Sequence, residues 1–373
     1  MVTEDWYFLS HRLALAQAAR AAGLQVMVAT APGRLGGTIR GLGFDFFPLR
    51  LRRNSMHPVR ELLSIADLAL LYRRTAPDLV HHVALKPVVY GSLAAKIARV
   101  PAFVNAITGL GYAFVDQGSN RALLRRGILL ACAVALHTKH SGVIFQNPDD
   151  RELFIKNGLV SEAQSHIILG SGVDSTLFHP TDEPSGPVVI LLPARMIWDK
   201  GVGELVQATR ILMTRNLEFK VLLAGKIDHC NPASLEESQL RAWEAEGLIS
   251  WLGHVEDMFS LYAKCHIVCL PSHYREGVPL SLIEAASCGR PIVSTDTVGC
   301  REIVKHNFNG ILVPPKDPSA LAEALQQMIL DSSHRREMGR NGRDMVLKNF
   351  DKEVIVRQTL DVYRLLLGEK WPQ

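Results

Sequence analysis

Short β-branched runs alternate with amphipathic stretches along nearly the whole chain, and the alternation restarts once. In the first series the pattern predicts helix over 11–22, strand over Leu24–Ala29, a short helix over Gly36–Gly41 and helix over 59–75. Strand over Leu79–Val83, helix over 90–98, strand over Phe103–Ile107 and helix over 121–139 follow. Strand Gly142–Gln146, helix 149–157 and strand His166–Leu169 close it. After a polar gap, Thr181–Gly186, strands are predicted at Pro187–Pro193, Phe219–Ala224, Ile249–Leu252, His266–Leu270, Ile292–Thr295 and Gly310–Val313. Helices at 201–215, 234–245, 257–263, 279–288, 299–305 and 318–331 lie between or after them. Strands alternating with helices mean parallel sheets covered on both faces, an α/β architecture. Two such series predict two Rossmann-like domains, residues 1–180 and 181–350, facing a cleft. A last amphipathic helix within 351–373 would cross back to the first domain, with Val354, Leu360, Val362, Tyr363 and Leu366 available to pack. Ligands of such sheets bind beyond the carboxyl ends of the strands. One piece is missing from the pattern. A domain of this kind ordinarily opens with a hydrophobic strand and a tight glycine turn, whereas only Met1-Val2 precedes Thr3-Glu4-Asp5-Trp6. The first strand is expected to be absent, through a mis-assigned start or a genuine truncation.

A length of 373 residues suits two domains. The hydrophobic fraction of 47% and charged fraction of 21% are those of a globular protein. Charge is uneven: residues 1–180 hold 19 Lys/Arg against 12 Asp/Glu, and residues 181–373 hold 22 against 25. The excess sits in two clusters, Arg50, Arg52, Arg53 and Arg60, then Arg121, Arg125 and Arg126. These read as solvated surface or as attraction to an anionic surface. Nucleic acid is disfavoured, because the clusters lack interleaved aromatics and the second half is acidic. The apolar run Gly127 to Leu136 has ten residues, too short to span a bilayer. It reads as a buried helix, with an interfacial one as the alternative. The start MVTEDWYFLSHR is acidic where a secretory signal is basic. Cys132, Cys230, Cys265, Cys269, Cys288 and Cys300 show no C-x-x-C and read as reduced core thiols.

The densest chemistry lies in Arg275 to Asp296, REGVPLSLIEAASCGRPIVSTD. Glu276 sits in a Gly/Pro-bearing turn, and Glu284 follows eight residues on inside a short helix. Pro279 suits the first helical position and Gly289 a left-handed exit. The free amides of Leu280, Ser281 and Leu282 would then point out of the helix start, a seat for a phosphate. Glu284, roughly 7 Å further along the axis, reaches past the phosphates to a sugar hydroxyl. That layout suggests a nucleotide-sugar site.

Here the chain resembles the retaining glycosyltransferases of family 4, which have the GT-B fold. Glu276 and Glu284 match the family's E-x7-E signature. Gly170-Ser-Gly-Val-Asp174 with Phe178 and Pro180 matches the segment closing the first domain. Ala194-Arg195 and Asp199-Lys200-Gly201 match the Arg…Lys-Gly pair at the first turn of the second. Ala224-Gly225 and Leu252-Gly253-His254-Val255 match later strand ends. Gly299-Cys300-Arg301-Glu302 and Asn309-Gly310 through Asp317 match the closing segment. The first half is most similar to enzymes that extend polyprenyl-diphosphate-linked sugars in bacterial capsule, O-antigen or glycoprotein pathways. That likeness rests on Phe8-x-Ser10-His11-Arg12, His81-His82, Lys86-Pro87, Tyr90-Gly91 and Asn105 through Gly111.

The resemblance implies a UDP-sugar donor, a polyprenyl-diphosphate-linked saccharide acceptor, no cofactor and no metal. Arg195 and Lys200 would neutralise the departing nucleotide, with Lys200 facing solvent in the open state. Glu276 would align the donor sugar and Glu284 hold the ribose. Amides near Val278, Pro279, Leu280 and Ser281 would meet the phosphates, and Val255 and Lys226 flank the uracil. His11, His82, Lys86, Thr108 and Gly109 are candidates for acceptor contact, as is Gly111. His81 and His82 cannot both face the cleft, because strand side chains alternate. No D-x-D pair ends a strand, so fixed cations replace the divalent ion. Retention implies same-face attack, with the departing phosphate taking the acceptor's proton. The expected location is cytoplasmic, at the inner face of the plasma membrane. Two alternatives stand beside this reading: a truncated, non-catalytic relic and a GT-B-fold UDP-sugar epimerase.

Overall fold

The computed structural model describes residues 1–51, 57–110, 119–138, 140–229 and 231–372. Arg52, Arg53, Gly111, Cys230 and the side chain of Arg121 lie outside that description. The chain divides into two compact units, Met1–Gly172 with Lys352–Gln373, and Val173–Asp351. The division expected at 180 therefore moves back to 172. Residues 173–180 belong with the second unit because their polar groups are satisfied there. Val173 N–H donates to the Phe350 carbonyl at 3.0 Å, and Ser175 Oγ donates to Asp351 at 2.5 Å. Arg343 donates to the Ser175 and Phe178 carbonyls at 3.0 and 2.9 Å.

The first unit runs α1 (Asp5–His11), α2 (Leu13–Ala21), β1 (Met27–Thr30), α3 (Gly36–Gly41), β2 (Asp45–Pro48) and α4 (Pro58–Thr75). It continues with β3 (Leu79–Val83), α5 (Leu85–Ala98), β4 (Ala102–Ile107), α6 (Ser119–Leu136), β5 (Ser141–Phe145), α7 (Pro148–Lys156) and β6 (Ser165–Ile167). Strands β3-β4-β5-β6 form one parallel sheet and β1-β2 a separate parallel pair. No strand among the described residues runs between β1 and β3. Met1–Thr3 occupies the last rungs of that gap. The Met1 amine donates to the His81 carbonyl at 2.7 Å, Val83 N–H to Met1 and Val2 N–H to Ala29 at 3.1 Å each. A cavity of about 320 Å³ lies beside it, lined by Phe8, Leu15, Val26, Val28, Tyr72 and His81.

The second unit runs β7 (Val188–Pro193), α8 (Val202–Met213), β8 (Phe219–Ala224), α9 (Glu237–Ala245), β9 (Ser250–Trp251) and α10 (Met258–Ala263). Then come β10 (Ile267–Leu270), α11 (Leu280–Ser287), β11 (Ile292–Thr295), α12 (Cys300–Ile303), β12 (Gly310–Val313), α13 (Pro318–Leu330) and α14 (Ser332–Asn349). Its parallel sheet has the order β12-β11-β10-β7-β8-β9, which puts β7 and β10 side by side at the centre. Every residue of β10 is fully buried, as a strand covered on both faces must be. The last helix, α15 (Lys352–Leu367), returns to the first unit, where Tyr363 OH lies 2.6 Å from His81 Nδ1. Cys132, Cys265, Cys269, Cys288 and Cys300 are buried and unpaired, and burial pushes their thiols up.

A buried cation fastens the second unit together. Arg290 is 2% exposed and donates from Nε to the Tyr262 carbonyl at the end of α10 at 2.9 Å. Its other arm reaches the carbonyls of Thr181 and Asp182 at 3.1 and 3.2 Å. One guanidinium thus donates to several acceptors at once and ties the segment before β7 to the end of α10. Arg290→Met, of similar length and no charge, is expected to destabilise the chain by about 3 kcal/mol in urea unfolding. An unchanged unfolding midpoint would contradict that role.

Candidate active site

The carboxyl ends of β7 and β10 set the geometry. Beyond β7 the chain passes Ala194-Arg195, makes a 3-10 turn over Trp198–Lys200 and enters α8 through Gly201. Gly201 has φ +76, and a Cβ there would stand 2.1 Å from the Pro271 carbonyl oxygen that follows β10. Only glycine permits this left-handed turn so close to the neighbouring loop. The approach brings Lys200 onto Glu276, with Nζ 2.7 Å from Oε1 and 2.5 Å from Oε2. Ser272 Oγ donates to Glu276 Oε1 at 2.8 Å and also lies 3.2 Å from the Asp199 carbonyl. His273 N–H donates to that same carbonyl at 3.0 Å. Thr295, which ends β11, and Thr297 just beyond it donate to the Ser272 carbonyl and fix the loop from its other side.

Lys200 was expected to face solvent; it is 8% exposed and already paired. The reason is the adjacency of β7 and β10, which sequence order hides. Arg195 is likewise engaged, forming an ion pair with Asp228 in the loop after β8. That loop is laid along Arg195-Met196 by the Met196 N–H, which donates to the Lys226 carbonyl at 2.9 Å. Gly225 N–H donates to Gly253 at 2.7 Å, bringing the loops that carry Lys226 and Val255 together. Lys226 is exposed and Val255 half-buried.

At the start of α11, Pro279 is the cap residue (φ −65, ψ 119) and not the first helical residue, a correction of one position. Its carbonyl accepts from Leu282 and Ile283 at 3.1 and 3.3 Å. Leu282 thus drops out of the expected open set, and the amides of Leu280 and Ser281 have no acceptor among the described residues. Val278 is buried, so it can offer a ligand only its backbone. Glu284, on the next turn, accepts from Tyr262 OH at 3.0 Å, and that hydroxyl also lies 3.0 Å from the Ser281 carbonyl. Burial pushes the Glu284 carboxyl up to about 7, with the tyrosine hydrogen bond opposing. Tyr262 is fully buried, and its hydroxyl is raised by burial and by the Glu284 charge.

The first-unit candidates fare differently. His82 is 0% exposed, with Nδ1 2.8 Å from Asn105 Oδ1 and Nε2 3.1 Å from Tyr72 OH. Burial lowers it to about 3, so the ring is neutral, and both nitrogens are already used. Acceptor contact by His82 is therefore corrected to a core role, between Tyr72 of α4 and Asn105 of β4. Lys86 lies in the first turn of α5, not at a strand end, and pairs with Glu61 at 2.9 Å beside the Tyr90 ring. His11 stacks on Tyr7 at 4.2 Å, and burial together with Arg12 lowers it to about 3. Thr108 and Gly109 follow β4, with Gly109 at φ +113. Among the described residues no group of three or more His, Cys, Asp or Glu is placed to hold a metal ion.

Two parallel-sheet units, one presenting a cationic pair and an open helix start beyond its central strands, are the marks of a GT-B transferase. Residues 1–147 match the family described as Glycosyl transferase 4-like, and residues 174–345 match Glycosyl transferases group 1. The chain is a GT-B glycosyltransferase of these families. It is 28% identical over 339 residues to the N,N'-diacetylbacillosaminyl-diphospho-undecaprenol alpha-1,3-N-acetylgalactosaminyltransferase of Campylobacter jejuni, covering 87% of each chain. It is 23% identical to the UDP-Gal:alpha-D-GlcNAc-diphosphoundecaprenol alpha-1,3-galactosyltransferase of Escherichia coli, covering 85% of this chain and 82% of that one. The fold matches HepE of Anabaena, solved in complex with UDP, with TM-score 0.77 at 20% identity over 98% of both chains.

Asp228, Ser272 and Tyr262 escaped the sequence reading. Asp228 had a signal, a carboxylate just past a predicted strand end; Tyr262 had none, because its hydroxyl finds Glu284 across the fold. Glu284 also sets a pH dependence. A carboxyl raised from 4.5 to about 7 means the folded chain binds more protons than the unfolded one between those values. Stability contributed by the neutral carboxyl is therefore lost as pH rises toward 7. Glu284→Gln should be more stable than the parent above pH 7, by up to about 3 kcal/mol, with the difference vanishing near pH 4. A pH-independent difference in urea unfolding would contradict the shift.

Proposed function

We propose that the enzyme moves a hexose or N-acetylhexosamine from a UDP-sugar to a polyprenyl-diphosphate-linked saccharide, with retention and without a metal ion. The observation that carries this reading is the Lys200–Glu276 contact beyond the adjacent strands β7 and β10, with Arg195 in the loop after β7 and the open amides of α11 after β10. Both cations are held by carboxylates, Lys200 by Glu276 and Arg195 by Asp228. An incoming diphosphate replaces those carboxylates as the partner of the cations, and the Leu280 and Ser281 amides add two neutral donors. Glu276, still oriented by Ser272, is freed to accept from hydroxyls of the donor sugar. Glu284 lies further along the same helix, within reach of the ribose.

As the bond from C1 to the phosphate oxygen breaks, negative charge grows on that oxygen, and the two cations would neutralise it. The acceptor hydroxyl forms its bond to C1 on the same face, and its proton passes to the departing phosphate. Fixed cations supply what a divalent ion supplies elsewhere, and no separate base is needed. A lipid-diphosphate acceptor is supported by the names of the two bacterial relatives and by the basic first half. Such an acceptor places the enzyme at a membrane, on the cytoplasmic side where UDP-sugars are made. No helix among the described residues is long and apolar enough to cross the bilayer.

Purified enzyme incubated with labelled UDP-sugars, a polyprenyl-diphosphate glycan and EDTA should add one sugar to the lipid, keeping its anomeric configuration. Lys200→Ala should lower kcat/KM by about 10² to 10³. No labelled lipid from any UDP-sugar would overturn the reading, and loss of activity in EDTA would overturn its metal-free form.

A further inference from the structure

Helix α4 is apolar on two sides. Ser64, Leu68, Ala69 and Tyr72 are buried against the sheet, as an amphipathic helix requires. A second stripe, Val59, Leu62, Leu63, Ala66 and Leu70, follows the same helical period and faces solvent. Leu62 is 67% exposed and Leu70 62%. Among the described residues of the first unit, none covers the four large apolar side chains exposed on this helix face, Val59, Leu62, Leu63 and Leu70.

The stripe does not stand alone. Helix α4 packs on α5, and α5 packs on α6. The crossovers β3 to β4 and β4 to β5 step in one direction, which puts α5 and α6 on one face of the sheet. Arg73 donates to the Ile97 carbonyl at 3.3 Å, and Lys96 donates to the Val134 carbonyl at 2.5 Å. These bonds draw the ends of the three helices into one surface, to which Ile97, Leu130 and Val134 add exposed apolar groups.

Charge selects the occupant. Residues 58–75, 85–98 and 119–136 contain eight Lys/Arg and two Asp/Glu, and both acids are paired, Glu61 with Lys86 and Asp67 with Arg50. Arg60, Arg73 and Arg74 flank the apolar stripe in exposed positions. Apolar side chains in the middle with cations at the margins suit the boundary between acyl chains and anionic headgroups. A water-soluble partner would need matching acidic and apolar surfaces, whereas a bilayer offers both at once.

We infer that the outer surface of α4, α5 and α6, centred on Leu62, Leu63 and Leu70, docks on the anionic face of a lipid bilayer. The inference rests on the lipid-acceptor reading above and names the surface that serves it. Docking by the helices next to the acceptor unit's sheet confines the search for a lipid-linked substrate to two dimensions.

The full chain is mixed with vesicles of phosphatidylcholine alone and of phosphatidylcholine with phosphatidylglycerol, then sedimented. It should pellet with the anionic vesicles, remain free with the neutral ones, and be released by salt. Leu62→Glu combined with Leu63→Glu should partition at least about tenfold more weakly. Its melting curve, and its transfer to a short-chain, water-soluble prenyl-diphosphate glycan, should match the parent. Arg60→Gln, Arg73→Gln and Arg74→Gln together test the same face through charge alone, should the acidic pair impair folding. Equal sedimentation of parent and variants, or no sedimentation of the parent, overturns the proposal. So does a parent dimer in solution that the leucine variant dissociates, since a second copy would then cover the stripe. Failure of transfer with vesicle binding intact would sink the acceptor reading and leave the docking surface standing.

Discussion

An ammonium held 2.5 and 2.7 Å from both oxygens of one carboxylate, with little of either group in water, survives only in a frame that prevents both from relaxing away. Desolvation works against the Lys200–Glu276 pair, and its Coulomb attraction offsets that cost only while the geometry holds. The frame is the central adjacency of β7 and β10. It appears in the close approach of Gly201 to Pro271, and in Ser272, which binds the Glu276 carboxylate and the Asp199 carbonyl together. The site is thus a set of loops made rigid by one another, on strands too buried to move.

That arrangement has a chemical consequence. A lysine in water would collect counter-ions and sample many rotamers; one paired with Glu276 keeps its position. The Arg195–Asp228 pair does the same one strand over. On the proposed function, each carboxylate would stand in for the diphosphate, and exchange of partners would couple donor binding to release of Glu276 toward the sugar. Glu284 follows a different logic. Burial beside Tyr262 holds it near neutrality, and hydroxyl partners from a ribose would favour its charged form.

Much of the fold was legible because parallel strands are apolar throughout and helices between them are periodic. Leu79–Val83, Phe219–Ala224, Ile292–Thr295 and Gly310–Val313 are strands with the bounds the pattern predicts. Helix α14 was not, since its inner face is built partly from Gly339 and Gly342, which pack against Gly289 and Ala286 and leave no apolar period to read. The pair β1-β2 was half seen, because Asp45–Pro48 is short and only partly buried. In the site, the residue types and their loops were readable from motif and spacing. Their partners were not, for Lys200 meets Glu276 across 76 positions and Tyr262 meets Glu284 through tertiary packing. His82 misled for the same reason: a strand histidine shows its chemistry in sequence but not its burial.

Calorimetric titration of UDP and of uridine, in EDTA, into the parent, Lys200→Ala and Glu276→Gln tests the exchange of partners most directly. The account predicts that UDP binds the parent about a hundredfold or more tighter than uridine, the difference being the charge-assisted phosphate contacts. Lys200→Ala should lose most of that margin, while Glu276→Gln, with its lysine unengaged, should bind UDP at least as tightly as the parent. Equal affinity for UDP and uridine, or a loss of UDP affinity in Glu276→Gln as large as in Lys200→Ala, would contradict it.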